Sequence, residues 1–174
     1  MQPTEILSDE HQNILTVIDA IERECKKLIS GEEIDEQFFK KAIDFIRHYA
    51  DKFHHAKEED ILFKEFCNNA EKAHCNPVDQ MLLEHDIGRK FVKGMKEAIR
   101  NKDKSQLIEN AEGYASLLQD HITKEDRILY PMCDEVISSK SQEKMLKQFK
   151  EVETNNIEAK KKYLAITKEF EERK

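Results

Sequence analysis

The sequence predicts an all-α protein, an up-down-up-down four-helix bundle with one additional C-terminal helix. Three observations predict it. The 174 residues include only 4 glycines and 3 prolines, too few for a loop-rich all-β chain. Charged residues make up 37% and hydrophobic residues 39% of the chain, in long Glu/Lys/Leu/Ile runs that favour helix. Apolar residues recur at spacings of three and four with few interruptions, as amphipathic helices require. The length suits one domain around one core.

The first helix spans about Thr4 to Ile29, where Leu7, His11, Ile14, Leu15, Ile18, Ile21 and Cys25 share a face. Ser30-Gly31 stops it. The second starts at Asp35, an N-cap residue, and reaches Phe66–Asn69. Asn76-Pro77 supplies an N-cap and a proline at the first helical position of the third, which runs to about Arg100. The fourth runs from about Lys104 to Val136, and Pro131 should kink or loosen its last turns. Ser138–Ser141 forms a break. From Gln142 to Glu172 come two apolar stripes, Met145, Phe149 and Val152, then Tyr163, Ile166 and Phe170, with Asn155-Asn156 between them. Residues 1–138 thus form the bundle, and 139–174 form a C-terminal helical extension. That extension either braces the bundle or serves an interface, which would make the protein a homodimer. No internal repeat of fixed period is visible, and short connections favour antiparallel neighbours.

Composition excludes several classes. A formal net charge of −7 with no basic stripe argues against nucleic-acid binding. No apolar run approaches the ~20 residues of a membrane span. The N-terminus lacks the basic start and apolar stretch of an export signal, so a cytoplasmic setting is expected. Cys25, Cys67, Cys75 and Cys133 form no Cys-x-x-Cys pair, and are read as reduced thiols acting as small buried hydrophobes.

The histidines carry the chemical signal. His11 lies on the first helix, His54 and His55 on the second, His85 on the third and His121 on the fourth. Glu58 comes four residues after His54, and Glu125 four after His121. At ~100° per residue such a pair differs by only ~40°, so each can grip one ion from one helix. These groups interrupt apolar stripes. Tyr114, Leu117, Leu118, Ile128, Leu129 and Met132 share the side of His121. A buried carboxylate without a partner costs several kcal/mol, so it should be neutralised, paired or metal-bound.

The heights agree as well. Counted at ~1.5 Å per residue from one end of an antiparallel bundle, His11, Glu58, His85 and Glu125 all fall in a slab roughly 10–17 Å deep. Helix axes ~8–10 Å apart leave room for a metal pair at roughly 3.5–4 Å. Two glutamates and a bridging hydroxide would cancel three of four positive charges, and neutral imidazoles would complete the shells. Imidazole-rich N/O ligation suits iron, with zinc, copper or manganese as alternatives.

The runs Glu10-His11, Phe53-His54-His55-Ala56-Lys57-Glu58-Glu59, Met81-Leu82-Leu83-Glu84-His85 and His121-Ile122-Thr123-Lys124-Glu125-Asp126 resemble the hemerythrin-like, HHE cation-binding domain over residues 5–136. The resemblance implies a non-heme diiron centre, oxo- or hydroxo-bridged, in a family whose members carry O2, sense O2, NO or iron, or handle peroxide and NO. Two departures matter. Oxygen-carrying members bring His-x-x-x-His from the third helix, and Met81 stands at the first of those positions. They also place Asp five residues after the fourth-helix histidine, whereas here Glu125 sits at plus four and faces inward on the wheel. Asp126, at plus five, turns ~140° away. His55 is assigned the ligand role lost at Met81, since Glu58 falls between His54 and His55 on the wheel; failing that, a water-filled position remains.

The expected ligands are therefore His11, His54, His55, Glu58, His85, His121 and Glu125. Glu59 and Asp126 are expected behind the ligands or in solvent. His48 lies too far along the axis, and His74 belongs to a surface loop. Arg89 either pairs with a site carboxylate or snorkels, and Tyr114 and Tyr130 are expected to pack. Three functions compete. The first is a diiron protein that binds or reacts with O2, NO or peroxide. The second is an iron or gas sensor that signals through the C-terminal helix without turnover, and the third is a helical module with an incidental zinc site. Turnover itself is left open by the residues.

Overall fold

The computed structural model describes residues 2–173. Six helices account for nearly all of them, and no strand occurs among the described residues. Helix α1 is Pro3–Ile29. Helix α2 is a continuous run over 36–67, and α3 is Val78–Asn101. Helix α4 is a continuous run over 104–136. Helices α5, Ser139–Asn155, and α6, Ile157–Glu172, complete the chain. No helix among the described residues is long and apolar enough to cross a membrane.

Local chemistry accounts for the helix ends. Pro3 opens α1, and the Gln2 backbone N–H donates to Glu5 at 2.6 Å. Gly31 stands just past α1 with φ +105, a left-handed conformation that glycine adopts without strain. Asp35 accepts from the Phe38 backbone N–H at 2.9 Å, and Asp103 from that of Gln106 at 3.0 Å. Both are side-chain N-caps. Asn76 accepts from the Val78 N–H at 3.1 Å, so α3 starts one residue later than expected. Ser138 accepts from Ser141 N–H, which makes it the N-cap of α5 rather than part of a four-residue break.

Three stretches of α2 and α4 are π-helical, over Ile46–His55, Glu58–Leu62 and Glu125–Leu129. The Phe63 N–H reaches back to the Glu58 carbonyl, and the Tyr130 N–H to that of Glu125. Such a turn does not require a proline, because the matching one at Glu58–Leu62 has none in it or beside it. Such wide turns cluster at functional sites. They also correct the wheel. Ile128, expected inward, is 51% exposed, because each wide turn adds a residue and rotates the helix beyond it.

The interior is layered. One apolar cluster joins Leu7, Phe63, Phe66, Met81, Leu129 and Val136 to Met145 and Phe149 of α5. A larger one runs from Ile14 to Leu28 of α1, across Phe53 and Met95, to Tyr163, Ile166 and Phe170 of α6. The histidines and glutamates lie between the two. The C-terminal helices are anchored by Phe170 against Phe38, ring centroids 4.7 Å apart, and by Lys162 on Asp44 at 2.7 Å. Cys25 and Cys133 are buried, whereas Cys67 and Cys75 are exposed, so only two of the four thiols act as core hydrophobes.

Candidate metal centre

Five imidazoles and two carboxylates converge between the clusters. His11, His54, Glu58 and Glu125 form one group, and His55, His85 and His121 form a second. Within each group the potential ligand atoms all lie within 4.8 Å of one another, and all seven residues are buried. The two glutamates span the groups. Glu58 has one oxygen 3.5 Å from His54 Nε2 and the other 3.5 Å from His85 Nε2. Glu125 has one oxygen 3.3 Å from His11 Nε2 and the other 3.3 Å from His121 Nε2. His85 and His121 bring their Nε2 atoms to 3.0 Å. His55 stacks on His85 with ring centroids 3.7 Å apart.

Behind four of the imidazoles stands a closed ring of carboxylates. Glu10 of α1 accepts from His54 Nδ1 of α2 at 3.0 Å. Glu59 of α2 accepts from His85 Nδ1 of α3 at 2.7 Å. Glu84 of α3 accepts from His121 Nδ1 of α4 at 2.8 Å, and Asp126 of α4 accepts from His11 Nδ1 of α1 at 2.9 Å. An ionised carboxylate can only accept, so each Nδ1 carries a proton and each Nε2 is the nitrogen turned to the centre, free to bind a metal once it is unprotonated. Each helix thereby sets the tautomer of the next.

Lysines brace this ring. Lys57, fully buried, is paired with Glu10 and lies 4.0 Å from the Phe53 ring centroid. Lys124 is paired with Glu84. Arg89 bonds Glu59 at 2.7 Å and Asp51 at 2.8 Å, so it holds carboxylates behind the site. His85 and Arg89 together pull Glu59 down to about 2. His55 has weaker backing, since its Nδ1 lies 3.6 Å from Asp51.

Tyr130 departs from expectation. It does more than pack, because its hydroxyl donates to Glu58 at 2.5 Å and lies 3.4 Å from His11 Nε2. Tyr114 makes no such bond and packs over Gly88. His48 sits with Asp44, and His74 is exposed.

The electrostatics suit a cation. Glu58 Oε2 and both Glu125 oxygens are buried without a hydrogen-bond partner. Burial and the neighbouring Glu125 raise the Glu58 pKa well above the carboxylate range. Burial would raise Glu125 too, but His121 and His11 hold it low. Burial pushes His54 and His55 far down as acids, leaving neutral donors. Buried carboxylate oxygens set against imidazole nitrogens suit a metal.

The residues that sequence reasoning missed are Glu10, Glu84, Asp51, Lys57 and Lys124. A signal existed. Glu-His occurs at 10–11 and 84–85, and His-x-x-Lys-Glu-acid occurs at 54–59 and 121–126. The offsets differ, 74 for the first pair and 67 for the second, so no fixed period marks the recurrence.

The family profile described as Hemerythrin HHE cation binding domain matches residues 2–133. Comparison with curated proteins and with solved structures gives no significant match.

Proposed function

The chain belongs to the hemerythrin HHE cation-binding domain family, and on that footing we propose that it is a non-heme diiron protein that takes up O2, NO or peroxide. The bundle is read as up-down-up-down, with residues 1–138 as the metal-binding unit and 139–174 as its extension. The observation that carries this reading is the set of three buried carboxylate oxygens of Glu58 and Glu125, without a hydrogen-bond partner, between two imidazole groups. His11 and His54 would hold one ion and His55, His85 and His121 the other, with both glutamates shared. The donor set of five imidazoles and two carboxylates favours iron, with zinc or manganese as the alternatives. When bound, the metal pair supplies electrons and Lewis acidity.

The chain's own residues supply the rest. The carboxylate ring keeps each Nδ1 protonated and so presents each Nε2 as the nitrogen that would bind the metal. Tyr130 holds a proton at its Oη on the Glu58 side, within reach of His11. The two apolar clusters limit water on either side of the layer. The thiols, none in a disulfide, support a cytoplasmic setting.

Anaerobic purification with metal quantification and an ultraviolet–visible spectrum tests the reading. Two irons per chain and charge-transfer bands are expected, and a stoichiometric zinc site without them would overturn it. His121→Ala and Glu58→Ala should each strongly reduce metal loading. His55→Ala should cost one metal or alter reactivity, and native loading and spectrum would remove His55 from the ligand set.

One observation favours the sensor reading. The path His54–Glu10–Lys57 ends beneath α5, with Lys57 Nζ 5.4 Å from the Phe149 ring centroid. The extension therefore reaches the Glu10–Lys57 pair that stands behind His54. Stopped-flow mixing of the reduced protein with O2, NO and peroxide separates the readings, since reversible spectra without turnover would support sensing.

A further inference from the structure

A cavity of about 190 Å³ lies in the groove between α2 and α3, backed by α4. Its inner end is formed by His55 and His85, the two stacked rings. Its walls are apolar, from Ile46, Gly88, Val92, Tyr114 and Leu118. Its rim carries Arg47, Lys93 and Lys96.

Size is the first argument. A cavity of roughly 150 Å³ with apolar walls accommodates benzene, whereas a water's share of liquid volume is only ~30 Å³. A diatomic molecule would leave most of this space unfilled. Charge is the second. Asp51 and Glu84 also line the cavity; Asp51 shares Arg89 with Glu59 and Asp86, and Glu84 is paired with Lys124. Arg47 and Lys96 are exposed and make no ion pair among the described residues, while Lys93 has only Glu97 at 4.0 Å. The adjoining surface groove adds Lys40, Arg100 and Lys102 against Glu36 and Asp44. This cationic strip stands out on a chain of net charge −7.

The geometry points to a binding pocket for a small organic anion, with an apolar or aromatic body against Val92, Tyr114 and Leu118 and one anionic head at Arg47 and Lys96. Bound there, the molecule would lie against the His55 and His85 rings. The pocket is built from protein atoms alone, so the inference stands apart from the identity of the metal.

Titration calorimetry of the full chain as purified, with its metal content measured alongside, tests this with benzoate and its neutral counterpart benzyl alcohol. Benzoate should bind saturably with one site per chain, at least several-fold tighter than benzyl alcohol. The surface double variant Arg47→Gln/Lys96→Gln should weaken benzoate about tenfold and leave benzyl alcohol unchanged. Added salt should weaken benzoate in the same direction. Val92→Phe should fill the cavity and abolish binding of both. Absence of saturable benzoate binding, equal affinity for the two probes, or benzoate affinity unmoved in the double variant would each overturn the proposal. The surface variant decides the matter if Val92→Phe fails to fold, and the separate metal count keeps its failure distinct from failure of the diiron reading.

Discussion

Asp126 stands 2.9 Å behind the His11 ring, at Nδ1, while its neighbour Glu125 lies 3.3 Å in front, at Nε2. Two consecutive acidic residues of one helix thus clamp an imidazole of another from both sides. Carboxylates behind a ligating imidazole typically tune metal affinity by ~10–100-fold. Asp126→Ala should therefore weaken loading by about that factor and keep the helical content. Competition with a chelator of known affinity measures it, and an unchanged affinity would remove Asp126 from the site.

Glu10 and Lys57 form a buried pair, and breaking such a pair from one side costs about 3–5 kcal/mol because a charge is left uncompensated. Glu10→Ala should destabilise the chain by about that much in denaturant unfolding. The double variant Glu10→Ala/Lys57→Met should recover more than half of the loss, since both charges are gone. A double variant no better than the single would show that the cost lies in packing.

The His11 pKa sets a pH window. Burial alone would lower it, but Asp126 and Glu125 outweigh that and raise it from 6.5 to about 9. A raised folded-state pKa gives stability that is complete below pH 6.5 and lost as the pH rises through 9. Metal-free protein should accordingly lose stability across that interval. Metal loading competes with the same proton, so affinity should rise over the same range and loading should release protons. Thermal melts with chelator and metal titrations from pH 6 to 9 check both signs, and parallel slopes would contradict the assignment.

Tyr130→Phe removes the one hydroxyl bonded to Glu58 and leaves a buried carboxylate oxygen without its donor. A cost of about 1–3 kcal/mol is expected in the metal-free protein. The difference should shrink on metal loading, because the carboxylate then gains another partner. Equal costs in both states would place the hydroxyl outside the metal's influence.

Phe149→Ala tests the coupling of α5 to the site. Loss of a fully buried phenylalanine should cost about 3–5 kcal/mol. If the extension supports Lys57 and through it Glu10 and His54, metal affinity should also fall, measurably by chelator competition. Lost stability with native affinity would confine α5 to bracing.

Rules internal to one helix account for everything legible in the sequence. The rise and turn per residue fix the His54–Glu58 and His121–Glu125 pairs, and side-chain capping fixes the starts of α2 after Asp35 and of α4 at Lys104. These features depend only on spacing along a single backbone, and the common height with His11 and His85 follows once antiparallel packing is assumed. Tertiary structure decided everything that crosses between helices. It matched Glu10 with His54, Glu84 with His121 and Tyr130 with Glu58, brought His55 onto His85, and opened the groove beside them. Such contacts depend on how far each helix rotates about its own axis, and the wide turns at Glu58–Leu62 and Glu125–Leu129 reset that rotation. A wheel with a constant angle per residue contains no such step, which is why it puts Ile128 on the wrong side and overlooks the hydroxyl of Tyr130.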